Sequence, residues 1–276
     1  MNVRLGRWVS MGTVSRLPVL AAVLGLGSLA LVAALPRSRA ADGDRIVIYD
    51  SSGFERRPFE DGAILAGLDN WVTLPFNPNA ARITDADSAN GRQSVEVRGS
   101  DLASSKHFTF PPYEAVGSYR RPVNYAVEAA APIVVVEADL LLETEEELTD
   151  DDFFSMTIAA RSGDGETLGE MGISSDGSAD VYGFNAAPGD PTLQRTPTSL
   201  NRWHHMSIVM DFSGVTTEVS YWLDGEFLIA TPTTSTSKTL LRGSLVVYAR
   251  KGTGGEKRSD YTARFDNFRI SAYAGD

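Results

Sequence analysis

The chain has 276 residues, of which 22% are charged, and its formal net charge at pH 7 is −11. Residues 1–40 contain five arginines and no acid, so the remainder holds 20 basic and 36 acidic residues, a net charge of −16. This acidic balance argues against nucleic acid and anionic membranes as partners, and it also serves solubility. Because the chain has no cysteine, disulfides and thiolate metal sites are excluded.

Residues 1–41 have the pattern of a signal helix. Three arginines precede an apolar run over residues 17–35, which Pro36 ends, and small residues typical of a signal-peptidase site follow. The run also approaches the roughly 20 residues that span a bilayer, so an uncleaved membrane anchor is the alternative. Either interpretation places residues 42–276 outside the cytoplasm, secreted or at the cell surface. Membrane contact is then expected only through an uncleaved N-terminal segment, and export without cysteine is typical of a bacterial protein.

Short apolar runs separated by turn residues follow. Strands are predicted over Ile46–Tyr49, Gln93–Arg98 and Lys106–Phe110, with a loop over Gly62–Trp71 between the first two. The longest predicted strand is Ile133–Glu143. Its residues alternate, so that Val134, Val136, Ala138, Leu140 and Leu142 share one face while Glu137, Asp139 and Glu143 share the other.

Further strands are predicted along the second half of the chain. They cover Phe153–Arg161, Leu168–Ser174, Asp180–Phe184, Trp203–Asp211, Val219–Leu228 and Arg264–Ile270, and a polar connection is expected over Ala186–Arg202. Asp224-Gly225 is a hairpin turn signal. About a dozen short strands without an amphipathic helix predict an all-β fold. We expect one domain over residues 42–276, a two-sheet antiparallel jelly-roll sandwich, after the N-terminal signal helix.

The order of several segments resembles the concanavalin A-like lectin/glucanase superfamily, in particular laminin G-like exported bacterial domains. These segments are Phe54-Glu55, Gly67–Trp71, Gly91–Val95, Val136–Leu140, Trp203–Met206, Tyr221–Gly225 and Phe265–Ile270. The resemblance implies two curved sheets with a concave face that often binds glycans. Because many such proteins have no known ligand, the fold alone does not define the function.

An enzyme is one alternative that the resemblance raises. Laminarinase-type hydrolases of the superfamily carry their carboxylates on a single strand, and Glu137, Asp139 and Glu143 are similarly placed. Retaining hydrolysis needs two carboxyls about 5–5.5 Å apart, whereas six positions of a regular strand span about 20 Å. The tryptophan-rich segment that precedes the motif in those enzymes is also missing. We therefore expect no catalytic residues, although a glycoside hydrolase or polysaccharide lyase stays open as an alternative.

A binding surface is predicted from the polar strand faces. Trp222 shares the polar face of its strand with Ser220, and an exposed indole can stack on a pyranose ring; a Trp covered by a loop is the alternative. His204 and His205 point to opposite faces, with His204 on the apolar one. The expected ligand-binding residues are Trp222, Ser220, Glu137, Asp139 and His205.

A structural Ca²⁺ is the expected cofactor. The resemblance implies that carboxylates and backbone carbonyls bind it where the first and last strands meet, and Glu55 and Asp266 are the two matching positions. Alternatively, Asp266 caps a bulge and Glu55 pairs with a surface arginine. The run Glu143–Asp152, with seven acids in ten residues, is a second oxygen-rich candidate, although such runs are usually solvated turns.

These features together favour an exported, non-catalytic jelly-roll module that binds a glycan or cell-surface polysaccharide. A carbohydrate-active enzyme and a structural or protein-contact domain remain the alternatives.

Overall fold

A computed structural model describes residues 45–73, 79–102, 109–110, 113–144, 154–182, 193–250 and 261–274. In these ranges the helices are three short 3-10 turns, at Ser52–Phe54, Leu68–Asn70 and Gly99–Asp101. None of the described helices is long and apolar enough to cross a membrane. The predicted signal helix and the predicted boundary between residues 41 and 42 lie outside the described residues.

The described residues form sixteen strands. In chain order these are β1 (Arg45–Asp50), β2 (Val72–Thr73), β3 (Ala81–Thr84), β4 (Ser94–Arg98), β5 (Thr109–Phe110), β6 (Tyr113–Ala126), β7 (Ile133–Thr144), β8 (Phe154–Ser162), β9 (Thr167–Ser174), β10 (Ser178–Tyr182), β11 (Gln194–Pro197), β12 (His204–Asp211), β13 (Glu218–Leu223), β14 (Glu226–Pro232), β15 (Thr239–Arg250) and β16 (Tyr261–Tyr273).

The strands form two eight-stranded sheets. Sheet A has the order β14-β13-β12-β7-β16-β4-β3, and β1 also pairs with β16. Sheet B has the order β11-β10-β9-β8-β15-β6-β2, and β5 also pairs with β6. The pairings within each sheet are antiparallel, so the predicted all-β antiparallel sandwich is confirmed.

The core lies between the inner faces of the two sheets. All five apolar residues that the sequence assigned to one face of the longest strand, now β7, are fully buried. Met156 and Ile158 of β8 and Val247 of β15 are equally buried from the side of sheet B. Burial of apolar area, at about 25 cal/mol per Å², is the main force that holds the sheets together.

The sequence predicted some elements and missed others. The hairpin turn at Asp224-Gly225 is confirmed, because both residues have the positive φ angles, 51° and 82°, that a type I′ turn requires. The long strands β6 and β15 were missed, and β11 lies within the segment expected to be a polar connection. Since β6 contains Pro122 and a polar run over 118–121, its residues do not alternate as a half-buried strand should.

Candidate functional site

Each sheet has an outer face, which points away from the core. We call that of sheet A face A, and it comprises outward-facing residues of β7, β12, β13 and β16. We call that of sheet B face B, and it comprises outward-facing residues of β6, β8, β9, β10 and β15. The two faces are described in turn because the sequence predicted a site only on the first.

All five predicted ligand-binding residues lie on face A. His205 stands directly opposite Asp139, and Ser207 opposite Glu137, where β12 pairs with β7. On its other side, β12 pairs with β13, and there Ser207 stands opposite Trp222. Ser220, two residues from Trp222, points the same way.

A charged network occupies the middle of face A. His205 Nδ1 lies 2.8 Å from Asp139 Oδ1, and its Nε2 lies 3.5 Å from Glu137 Oε2. These hydrogen bonds, first to Asp139 and then to Glu137, raise the pKa of His205 to about 9 despite its partial burial. The imidazole is therefore positively charged at neutral pH.

The remaining carboxylate oxygens of this network also have partners. Asn267 Nδ2 donates to Asp139 Oδ2 at 2.6 Å, and Arg269 Nη1 lies 3.6 Å from Glu137 Oε1. Arg269 Nε lies 3.0 Å from Asp50 Oδ2. Both carboxylates of the network, Glu137 and Asp139, therefore have two partners each.

Glu143, the third carboxylate of the enzyme alternative, belongs to a separate ion-pair cluster. Arg264 Nε lies 3.2 Å from Glu143 Oε2, and Arg264 Nη2 lies 2.8 Å from Glu96 Oε2. Burial raises the pKa of Glu143, and Arg264 opposes that shift. Glu143 therefore belongs to a different ion-pair cluster from Glu137 and Asp139, and the three carboxylates of β7 do not share one network.

Trp222 is half-buried beside another aromatic side chain. Its ring centroid lies 5.3 Å from that of Phe227 in an edge-to-face arrangement, and Phe227 is 47% exposed. Trp222 Nε1 donates to Ser220 Oγ at 3.3 Å. The pair forms an apolar ridge on face A, and a ligand-binding role for it stays a prediction.

His204, which the alternation placed on the apolar face, is a buried structural residue. Its Nδ1 lies 2.8 Å from Asp224 Oδ2, and Asp224 Oδ1 accepts the backbone N–H of His205 at 2.9 Å. These contacts tie the β13–β14 turn to the start of β12.

Asp266 lies beside the junction of the terminal strands, as expected, because β1 pairs with β16. Its carboxylate is fully buried. Oδ2 accepts the backbone N–H groups of Ala89 at 3.0 Å and Asn90 at 3.2 Å, while Oδ1 accepts that of Asn267 at 2.7 Å. Burial raises the pKa of Asp266 to about 6.

Glu55 holds the same loop from the other side. Its Oε1 accepts the backbone N–H groups of Arg92 and Gln93, the latter at 2.7 Å. Gly91 has a φ of 84°, and a Cβ there would lie 2.5 Å from Glu55 Oε1, so the close approach requires glycine. Gly53 lies near both carboxylates, since a Cβ on it would be 3.5 Å from Asp266 Oδ1 and from Glu55 Cγ.

The groups that converge on these two carboxylates are therefore N–H donors. Ca²⁺ prefers six to eight oxygen ligands, and among the described residues no group of three His, Asp or Glu side chains is arranged to hold a metal. The contacts fit a loop anchor better than a complete calcium site, and Ca²⁺ at Glu55 and Asp266 stays a prediction. Most of the acidic run, residues 145–152, lies outside the described residues.

Face B carries a polar cluster that the sequence did not reveal. Glu170 Oε1 accepts a hydrogen bond from Thr157 Oγ1 at 2.6 Å, and the Tyr248 phenol also bonds to Glu170. Tyr182 stands directly opposite Glu170 on the neighbouring strand. Burial raises the pKa values of Glu170, Tyr182 and Tyr248. Clusters of groups with perturbed pKa values often mark functional sites.

A buried carboxylate lies beside this cluster. Asp180 is fully buried, its Oδ2 accepts from Ser174 Oγ at 2.6 Å, and its Oδ1 lies 2.8 Å from Arg195 Nε. Ser155 and Thr157 are also fully buried, although they point away from the core. Ser155, Thr157 and Asp180 are therefore fully buried polar side chains of face B, as Asp266 is on face A.

One local signal pointed to face B. Ser155 and Thr157 formed the polar side of a predicted strand, and Glu170 interrupted an apolar run in the next. The signal was incomplete because Tyr248 lies on β15, which the sequence did not predict.

No protein-family profile and no curated protein sequence matches the chain. Among solved structures, it is similar to an endo-1,3-β-glucanase from Streptomyces sioyaensis, with 12% identity, 86% of this chain and 99% of that chain covered, and a TM-score of 0.52. It is also similar to the carbohydrate-recognition domain of Emp47p, with 8% identity, 85% and 99% covered, and a TM-score of 0.45. A sialidase matches 73% of this chain, which spans 17% of that protein, with 12% identity and a TM-score of 0.41. The chain has the concanavalin A-like jelly-roll fold.

Proposed function

We propose that this protein is an exported, non-catalytic jelly-roll module that binds a glycan on face B. The observation that carries the proposal is the cluster of Glu170, Tyr182 and Tyr248, three half-buried side chains on β9, β10 and β15 of sheet B. A tyrosine combines an apolar ring, on which a sugar can stack, with a hydroxyl that hydrogen-bonds. The fold shared with a glucanase supports a carbohydrate as the ligand class by analogy.

Binding is favoured over catalysis because Glu170 is the one carboxylate of this cluster that a ligand on face B can reach, since it is half-buried. The phenols of Tyr182 and Tyr248 are protonated at neutral pH, as tyrosines ordinarily are, and serve as hydrogen-bond donors. A hydrolase needs two carboxyls flanking the scissile bond, and Asp180, beside Glu170, is fully buried and paired with Arg195.

Face A is the competing surface for the same function. Its candidate is the ridge of Trp222 and Phe227 together with the network around His205. That network pairs its charges internally, as Glu170 also does on face B with Thr157 and Tyr248, and face B is preferred because it adds two tyrosine rings on which a sugar can stack.

A glycan array of the purified protein, followed by two variants, tests the proposal. Tyr248→Phe keeps the ring and removes one hydroxyl, and we expect it to weaken binding about tenfold, the value of a hydrogen bond worth about 1.4 kcal/mol. The control Trp222→Ala should change affinity less than twofold. Trp222→Ala should also lower the free energy of unfolding by less than a truncated core aromatic does, which is about 3–5 kcal/mol, because Trp222 is only half-buried.

Three outcomes would overturn the proposal. If Trp222→Ala abolishes binding and Tyr248→Phe does not, the site is on face A. If the protein releases reducing or unsaturated sugar ends from an array hit, it is an enzyme. If no glycan on the array binds, a structural or protein-contact role replaces the proposal.

A further inference from the structure

Three arginines from neighbouring strands of sheet B lie together on face B. Arg242 of β15 stands directly opposite Arg161 of β8. On its other side Arg242 stands opposite Pro122, so Arg120 of β6, two residues earlier, is a diagonal neighbour. Diagonal residues in antiparallel pairs are about 7–8 Å apart, within reach of long side chains. We call these three residues the arginine cluster.

The arginine cluster has no carboxylate ion-pair partner among the residues that the structure describes. Glu170, an acid on this face, attracts Arg161 but is already bonded to Thr157 and Tyr248. Like charges directly opposite each other destabilise a sheet. The chain contains 36 acidic residues, so the absence of a described acidic partner beside these arginines is notable.

Burial adds to the cost of this arrangement. Arg242 is half-buried, and its Nε atom is buried without a hydrogen-bond partner. Burial, followed by the repulsion of Arg120 and Arg161, lowers the pKa of Arg242 to about 10. Burial and Arg161 likewise lower the pKa of Arg120. Arg161 is held in place by bonds from Nη1 to Gly165 O at 2.5 Å and from Nη2 to Thr167 Oγ1 at 3.1 Å.

We propose that the arginine cluster binds the oxyanion of an acidic polysaccharide, the carboxylate of a uronic acid or a sulfate ester. A guanidinium group binds either oxyanion through two parallel hydrogen bonds, which match its planar fork. The inference rests on the proposed function, since the polymer that carries the oxyanion also contacts the tyrosines of the same face through another sugar unit. A polyphosphate chain fits less well, because it has no sugar ring to contact the tyrosines of this face.

The first experiment compares charged and neutral forms of the same polymer with the full-length protein. The probes are polygalacturonate against its methyl ester, and dextran sulfate against dextran, measured by calorimetry at low and moderate salt. We expect one charged form to bind at least tenfold more tightly than its neutral form. Binding should weaken with salt, and the stronger charged probe identifies the carboxylate or the sulfate as the source.

The variants Arg242→Gln and Arg120→Gln should each reduce that preference at least tenfold. The matched control is Arg82→Gln, which removes an exposed arginine from β3 of sheet A and should change affinity less than twofold. If both cluster variants bind charged and neutral polymers as the wild type does, the cluster does not bind the anion. In that case glycan binding by face B still stands if Tyr248→Phe weakens it.

A thermal measurement keeps the inference separate from glycan binding. Galacturonate or sulfate, compared with chloride at equal ionic strength, should raise the Tm of the wild type and not that of Arg242→Gln. Without added anion, Arg242→Gln should melt at or above the wild-type Tm because it relieves repulsion. A lower Tm without anion, together with equal responses to anions, would show that Arg242 is structural. Stabilisation by small anions without binding of any polymer would overturn the polysaccharide part of the proposal.

Discussion

Face A and face B both carry acids and bases, and they differ in how those charges are paired and buried. On face A, Glu137 and Asp139 are each held by two partners, and His205 between them is 40% exposed. On face B, Asp180 is fully buried, and the arginine cluster has no acidic partner in the described residues. An internally neutralised network has little left to offer a ligand, whereas unpaired buried charge gains most from binding one.

The same difference decides what each network contributes to stability. Exposed ion pairs contribute about 0–1 kcal/mol because water already solvates the separated charges. Breaking a buried pair costs several kcal/mol because one charge is left without water or a partner. Glu137 and Asp139 of face A are 18% and 13% exposed, and each keeps a second partner when one is removed, so this network should tolerate mutation. Asp180 of face B is fully buried, although its partner Arg195 is 52% exposed, so the loss of that partner should cost more.

Matched arginine substitutions test this contrast most directly. Arg195→Met leaves the buried Asp180 carboxylate without its counter-charge, and we expect a loss of about 3 kcal/mol of unfolding free energy. Arg269→Met removes a half-buried partner from Glu137 and Asp50, which are themselves partly exposed, and should cost less than about 1 kcal/mol. Urea denaturation of both variants measures the difference. Equal losses would mean that the two faces are equally buried in solution.

Face A was predictable because its arrangement follows from local alternation. The alternation of apolar residues along β7 and β12 fixes which of their side chains point outwards, so Glu137, Asp139 and His205 could be assigned to strand faces. Their mutual contacts depend on β12 pairing with β7, which are about 70 residues apart in the chain, and no local pattern specifies that register.

Face B was not predictable for a related reason. Two of its key strands, β6 and β15, do not alternate clearly, so Arg120 and Arg242 were not assigned to any face. Sheet B places β15 between β6 and β8, and only this order brings the three arginines together. A charge cluster made from strands distant in sequence requires the tertiary pairing to be known.

His205 provides a second test, through the pH dependence of stability. Its folded pKa of about 9 lies above the unperturbed value of about 6.5, so its contribution is complete below about pH 6.5 and is lost as the pH rises through 9. Because the side chain is 40% exposed, we discount the full linkage energy for screening and expect a loss of about 1–2 kcal/mol. Melting curves of the wild type between pH 6.5 and 9.5 should show it.

The variant His205→Gln should flatten this pH dependence, since glutamine does not titrate. Asp266 does not interfere, because its raised pKa of about 6 makes stability fall as the pH rises from about 4 to 6, a lower range. Parallel curves for His205→Gln and the wild type would show that Glu137 and Asp139 do not hold a charged imidazole.

The smallest expected effect concerns calcium at Glu55 and Asp266. If Ca²⁺ binds at Glu55 and Asp266, it stabilises the folded state by about 1.4 kcal/mol at ten times its Kd, and weak extracellular sites have Kd values of about 10⁻⁴–10⁻³ M. Millimolar Ca²⁺ should therefore raise the Tm slightly, EDTA should reverse the change, and Asp266→Asn should abolish the response. The N–H groups of Ala89, Asn90 and Gln93 already occupy the two carboxylates, which is why the effect should be small. If neither Ca²⁺ nor EDTA changes the wild-type Tm, Glu55 and Asp266 do not bind calcium, and their role is to hold the 89–93 loop against the last strand.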